Sequence, residues 1–417
     1  MFKEKINSWN NSKRDKACKM KYLHELNDSM MQISELKQLM GGNSTISSIT
    51  VDARGIYETL DESRGNMKMY FEENDCEAAP VEVMCSLDYE KTETEMFLNI
   101  TSEIMHSGFT MLDIGANVGW YTLLASNVYR KEGVNIYSFE PSPITCKRLK
   151  KNIELNELPQ TRAFNIGLYN EKASLEFYYD IEGSGGSSFV NLREREKVKK
   201  IVVDVEKLDD FVEKNGIQSI DFIKCDVEGS ELFVFEGGRK VLERDQPVIF
   251  SEMLRKWSAK FNYTPNDIIQ LMKGIGYECY AIEAENRLRY CPIVTEETVE
   301  TNYYFLNLEK HRGIIQKYGD SMKYANISIE SGYAKSKERK NAIRVVNIGD
   351  YIQIIAIDNL YKKMGISKRD IVYIEYYDLF DYDGDDVILP FSFIYFNPYF
   401  GGGVEHSGFH AKFIRFF

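Results

Sequence analysis

The stretch from Thr110 to Thr122, Thr-Met-Leu-Asp-Ile-Gly-Ala-Asn-Val-Gly-Trp-Tyr-Thr, leaves few local folds open. A short apolar run closes on Asp113, glycines follow at Gly115 and Gly119, and apolar residues recur at helical spacing from Trp120. That pattern reads as strand, tight turn and helix. Backbone amides at a helix start approach a ligand closely only where no Cβ intervenes, and the turn itself calls for positive φ. The stretch is read as a nucleotide-type cofactor loop, with Asp113, Gly115, Ala116, Asn117, Gly119 and Tyr121 as its contact residues.

The next apolar run, Asn135 to Phe139, ends in Glu140 and Pro141, at about the chain separation where a carboxylate meets a ribose diol. A third strand, Thr161 to Asn165, leads into Gly167, which with Asn165 sits where such folds line an adenine. A dinucleotide site wants its first two glycines two apart, whereas here Ala116, Asn117 and Val118 separate Gly115 from Gly119, so NAD is disfavoured. The Asp-x-Gly-x-x-x-Gly pattern instead resembles the S-adenosylmethionine loop of class I methyltransferases.

Strand and helix alternate through Met111–Ile114, Trp120–Arg130, Asn135–Phe139 and Ile144–Asn156, which predicts a parallel sheet with ligands at the strand C-termini. Further on, Ile220-Asp-Phe-Ile-Lys-Cys-Asp226-Val-Glu228-Gly229 delivers two carboxylates at a strand end, and Pro247 to Glu252 delivers a third at the next. Asp226, Glu228 and Glu252 are the candidate catalytic residues. Asp226 also faces the cofactor, and Asp226 with Glu252 would hold a magnesium ion if one takes part. The Gly183–Ser188 loop reads equally as a substrate lid or a hairpin tip, and Arg255, Trp257 and Tyr263 equally as acceptor contacts or packing. Tyr277–Ile282 and Tyr303–Leu308 are expected to finish the sheet as an antiparallel edge.

Taken in order, Asp-Ile-Gly-Ala-Asn-Val-Gly-Trp-Tyr-Thr, Phe139-Glu140-Pro141-Ser142, Leu208-Asp209-Asp210, Lys224-Cys-Asp226-Val-Glu228-Gly229-Ser-Glu231 and Ser251-Glu252 resemble the FkbM-type methyltransferases. The resemblance spans roughly Thr94 to Leu308. It implies a class I methyltransferase (Rossmann-like) α/β sheet, S-adenosylmethionine as cofactor, and O-methylation of a sugar hydroxyl in a glycan or natural product. Acceptors on a protein, lipid or small metabolite, an NAD-dependent oxidoreductase and a non-catalytic glycan-binding protein are the rival readings.

Around this core, residues 1–92 are expected to form a helical arm and small β cap, 93–309 the methyltransferase domain and 310–417 a β-rich accessory domain. Methionines such as Met30 and Met31 are read as gap-filling core in a packing or dimerisation arm. Strands are expected at Tyr324–Ile329, Ile343–Val346, Tyr351–Ile357, Ile371–Tyr376 and Phe391–Phe396. His406 and His410 are read as part of a glycan-binding or oligomerising module, and Asp381 to Asp386 as an acidic turn. With 52 Lys+Arg against 64 Asp+Glu, the charge of −12 gives no support to nucleic-acid binding. Seven cysteines without a Cys-x-x-Cys pair fit reduced thiols, and no run approaches a bilayer span, so a cytoplasmic location is expected.

Overall fold

The computed structural model describes residues 4, 7, 16–40, 44–72, 75–194, 198–284, 286–319, 323–328, 357–359, 361, 371–375, 387–389 and 415–416. They fall into two units, Met1–Tyr318 and Gly319–Phe417.

The first unit begins with a helix, α1 (Lys16–Ser34), on which Met20, Leu23, Met30, Met31 and Ile33 are exposed. Within this chain, then, Met30 and Met31 face solvent and fill no core. Strands β1 (Ile46–Asp52), β2 (Gly55–Leu60) and β3 (Lys68–Tyr70) form a small antiparallel sheet between residues 45 and 72. Helices α2 (Ala79–Ser86) and α3 (Lys91–Ile104) connect it to the core.

On β2, Glu58 is fully buried and neither carboxyl oxygen has a hydrogen-bond partner. Burial pushes it from about 4.5 up to about 8. The unfolded chain releases this proton near 4.5 and the folded chain keeps it, so stability falls as pH rises between those values, on the order of 3 kcal/mol by pH 7. Glu58→Met is expected to raise the melting temperature at pH 7 and flatten its pH dependence between 5 and 8. An unchanged or lower value would mean that the carboxyl has a stabilising partner.

The core follows as β4 (Thr110–Ile114), α4 (Trp120–Val128), β5 (Asn135–Phe139), α5 (Pro143–Leu155) and β6 (Thr161–Phe164). A side sheet of β7 (Gly167–Leu168), β8 (Ala173–Asp180) and β9 (Val198–Glu206) comes next, then α6 (Leu208–Asn215), β10 (Phe222–Cys225), α7 (Glu231–Gly237), α8 (Arg239–Asp245) and β11 (Val248–Glu252). The unit ends with α9 (Arg255–Ser258), α10 (Pro265–Lys273), β12 (Tyr277–Glu283), β13 (Arg287–Tyr290), β14 (Asn302–Asn307) and α11 (Arg312–Tyr318). Every residue of β4 and β10 is buried, as expected of strands covered on both faces.

The main sheet has the order β13-β12-β14-β11-β10-β4-β5-β6. Strands β11, β10, β4, β5 and β6 pair in parallel, whereas β14 pairs antiparallel with both β11 and β12. The antiparallel strand is therefore inserted beside β11, and β12 points the same way as the parallel strands. The two expected strands do finish the sheet through antiparallel pairings, with β14 lying between β11 and β12 and β13 added antiparallel outside β12. Local sequence marks both segments as strands, but their order is set by which edge of β11 the returning chain covers. Strand order reverses at β4, with β5 on one side and β10 on the other, and a ligand crevice belongs at the carboxyl ends there.

In the second unit, β15 (Lys323–Ser328), β16 (Ile371–Glu375), β17 (Val387–Leu389) and β18 (Arg415–Phe416) form a parallel sheet in the order β16-β15-β17-β18. The strands expected at 343–346 and 391–396, the acidic turn at 381–386 and His406 with His410 lie outside the described residues, as does all but Ile357 of the strand expected at 351–357. Ile357 itself is helical.

Candidate active site

A cavity of about 490 Å³ lies at the carboxyl ends of β4, β5, β10 and β11. Its lining includes Asp113, Gly115, Ala116, Asn117, Gly119, Tyr121, Glu140, Pro141, Gly167, Asp226, Glu228 and Glu252. Asn165 is exposed and outside the lining; its side-chain amide donates to the carbonyls of Glu140 (3.0 Å) and Pro141 (2.8 Å), so it fixes the turn after β5.

The glycines of the loop are required by the protein's own packing. Gly115 has φ +81°, and a Cβ there would lie 1.7 Å from the Asp226 carbonyl oxygen. Gly119 has φ +102°, and its Cβ would meet Leu149 Cδ1 at 2.5 Å. The amides of Gly115 and Ala116 both donate to the Phe139 carbonyl at 3.0 Å, which seats the loop on the end of β5. Asp113 turns inward, accepting a 2.5 Å hydrogen bond from Thr122 on α4, and burial pushes its carboxyl up to about 6. It anchors the helix to the strand.

Glu140 is buried and accepts from the Ser142 amide (2.8 Å) and the Asn117 amide (3.2 Å), one bond per carboxylate oxygen. Burial raises it to about 7. Each oxygen keeps capacity for a second donor, as a vicinal diol would provide.

Across the β10–β11 end, Asp226, Glu228 and Glu252 each offer a carboxylate oxygen within 4.8 Å of the others. Glu228 and Glu252 are held well above the usual carboxylate range by burial and by the Asp226 charge. The turn that presents them is braced from below. Glu228 (φ +52°) and Gly229 (φ +96°) take left-handed conformations, and the Glu231 carboxylate accepts from the amides of Val227 and Gly229, both at 3.1 Å. Tyr263 donates to the Gly229 carbonyl at 2.8 Å, and Trp257 and Phe261 close against Gly229. Trp257 and Tyr263 are buried against this turn, whereas Arg255 is exposed and donates to the carbonyls of Thr295 and Thr298; none of the three lines the cavity.

The 183–188 loop is a wall of the cavity. Ser184 Oγ donates to Asn117 Oδ1 and Ser188 Oγ donates to the Glu228 carbonyl, both at 2.8 Å, while Arg193 pairs with Glu77. The loop thus joins the glycine loop to the acidic turn.

Sequence reasoning gave no role to several lining residues. Lys224 is buried on β10 with Nζ 3.1 Å from Asp226 Oδ2, 5.1 Å from the centre of the Tyr121 ring and 4.8 Å from that of Phe250. Burial alone would lower its pKa, but the charges of Asp226, Glu90 and Glu252 more than offset this and raise it. The signal was a lone lysine inside an otherwise apolar strand. Tyr89 and Glu90 come from the turn before α3, where Glu90 accepts from Tyr121 at 2.7 Å, and no motif marks them. A second feature, Asp226 Oδ1, is buried with no hydrogen-bond partner.

A parallel sheet with one inserted antiparallel strand, a glycine loop on the first parallel strand and an acid after the second define a class I methyltransferase fold. Residues 113–279 match the methyltransferase FkbM domain. Methyltransferase 1 of Beauveria bassiana is 28% identical over 144 residues, covering 30% of this chain and 57% of its own. The 2-O-methyltransferase NoeI of Sinorhizobium fredii is 28% identical over 147 residues, covering 32% and 59% respectively. The hexuronic acid methyltransferase AglP of Haloferax volcanii is 27% identical over 132 residues, covering 31% and 50%. The chain thus spans little more than half the length of these curated relatives.

Proposed function

We propose that this protein is an S-adenosylmethionine-dependent O-methyltransferase acting on a sugar hydroxyl of a glycan or glycosylated metabolite. The observation that carries the reading is the unpartnered Asp226 Oδ1 in a cavity whose other wall is the glycine loop and Glu140. The name of AglP, a hexuronic acid methyltransferase, supports a sugar as the acceptor, and that of NoeI, a 2-O-methyltransferase, supports transfer to oxygen.

The cofactor fits the residues present: the Gly115–Gly119 loop and Glu140 line the cavity together, and each Glu140 carboxylate oxygen keeps acceptor capacity for a ribose diol. S-adenosylmethionine, when bound, supplies a methyl group already activated by the sulfonium charge. What remains for the chain is to hold a hydroxyl in line and take its proton. Asp226 is the base in this reading. Its Oδ2 is held by Lys224, which leaves Oδ1 free to receive the proton, and Glu228 and Glu252 orient the acceptor. The same three carboxylates form a donor set suited to a hard divalent cation such as magnesium, which would polarise the hydroxyl instead. Turnover that survives exhaustive chelation would rule out that version.

Thermal unfolding with S-adenosylhomocysteine and with NAD, each in large excess, tests the cofactor. A ligand at 100 times its dissociation constant adds about 2.7 kcal/mol to the folded state, a rise of a few degrees in a chain of this size. A shift with S-adenosylhomocysteine alone is expected; a shift with NAD alone would overturn the reading.

A further inference from the structure

The part of the cavity away from the glycine loop is strongly unbalanced in charge. Glu82 on α2, Glu90 before α3, Asp226 and Glu228 after β10, and Glu252 at the end of β11 all line it. Among the described residues, two cationic side chains, Lys224 and Arg193, line the cavity. Both are engaged, Lys224 with Asp226 Oδ2 at 3.1 Å and Arg193 with Glu77. The group still lacking a partner is an acceptor, Asp226 Oδ1. An incoming molecule therefore meets five carboxyl groups, two of which, Glu228 and Glu252, are already held well above the usual carboxylate range by burial and the Asp226 charge, and it finds no uncommitted cation among the described residues.

We infer that the acceptor is a neutral or amino-bearing sugar, and that uronates and other anionic sugars are rejected by charge. The inference rests on the methyltransferase reading above and adds the charge class of the substrate. A hydroxyl or ammonium donor would satisfy Asp226 Oδ1 and relieve the crowding of Asp226, Glu228 and Glu252. A carboxylate would bring like charge into the same enclosed space and would have to break an existing ion pair to gain a partner. Discrimination of this kind is built from repulsion as much as from attraction.

The test uses the full chain. Calorimetry with S-adenosylhomocysteine comes first, followed by transfer from methyl-tritiated S-adenosylmethionine to panels of methyl hexosides, methyl 2-amino-2-deoxyhexosides and methyl hexuronides. Label is expected in the neutral or amino panel, with kcat/KM for hexuronides lower by about tenfold or more. Glu82→Lys, at an exposed position on the cavity rim, is expected to narrow that ratio several-fold. Hexuronides methylated as well as the others would overturn the inference, as would transfer to none of the three panels by protein that binds S-adenosylhomocysteine. Failure to bind S-adenosylhomocysteine would instead bring down the methyltransferase reading and the inference with it.

Discussion

Replacing Gly115 with alanine is expected to abolish measurable S-adenosylhomocysteine binding and to cost the fold at least about 2 kcal/mol. Two effects act together. A non-glycine residue at φ +81° is strained, and the new Cβ would lie 1.7 Å from the Asp226 carbonyl oxygen, so the ends of β4 and β10 must separate. Both sides of the cavity hang on that junction, because Asp226 donates to the Ile114 carbonyl at 2.9 Å just before the loop. Gly108 supplies the control: its φ is +84°, yet nothing lies within 4 Å of an added Cβ. Gly108→Ala is expected to bear the strain alone and bind normally. If both variants bind S-adenosylhomocysteine like the parent, the loop is not the cofactor site.

Asp226→Asn is expected to lower turnover by about 10²–10⁴ while S-adenosylhomocysteine affinity stays within a few-fold. The amide keeps the shape but cannot take the proton, and Lys224 remains flanked by the charges of Glu90 and Glu252. Loss of turnover and of cofactor affinity together would reassign Asp226 to cofactor binding. Undiminished turnover would move the base to Glu228 or Glu252. Calorimetry beside a tritium-transfer assay separates the three results.

Much of the cofactor side is legible in the chain because strand, turn and helix follow one another within a dozen residues. Asp113, Gly115, Asn117 and Gly119 needed no tertiary information to be singled out, although the reason for the glycines did. The clash of Gly115 is with a residue more than a hundred positions away, and periodicity carries no trace of such a neighbour. Asn165 shows the opposite limit. Its position after the third strand suggested a ligand contact, but a side chain at a strand end points either way, and here the carbonyls of Glu140 and Pro141 claim it. The outer sheet was legible as strands and not as an order, because β12 and β14 carry similar apolar runs.

By itself, then, the sequence determined the α/β alternation, the glycine loop, the acid after the second strand and the convergence of Asp226, Glu228 and Glu252 on the carboxyl ends of β10 and β11. Those features rest on spacing along the chain, which folding preserves. Only the tertiary structure decided that Lys224 is buried against Asp226, that Glu82 and Glu90 close the cavity from the N-terminal side, and that the 183–188 loop ties Asn117 to the Glu228 turn. Those features rest on distances between segments far apart in sequence. They are fixed by how the helices and loops pack over the sheet, a choice that no local pattern records.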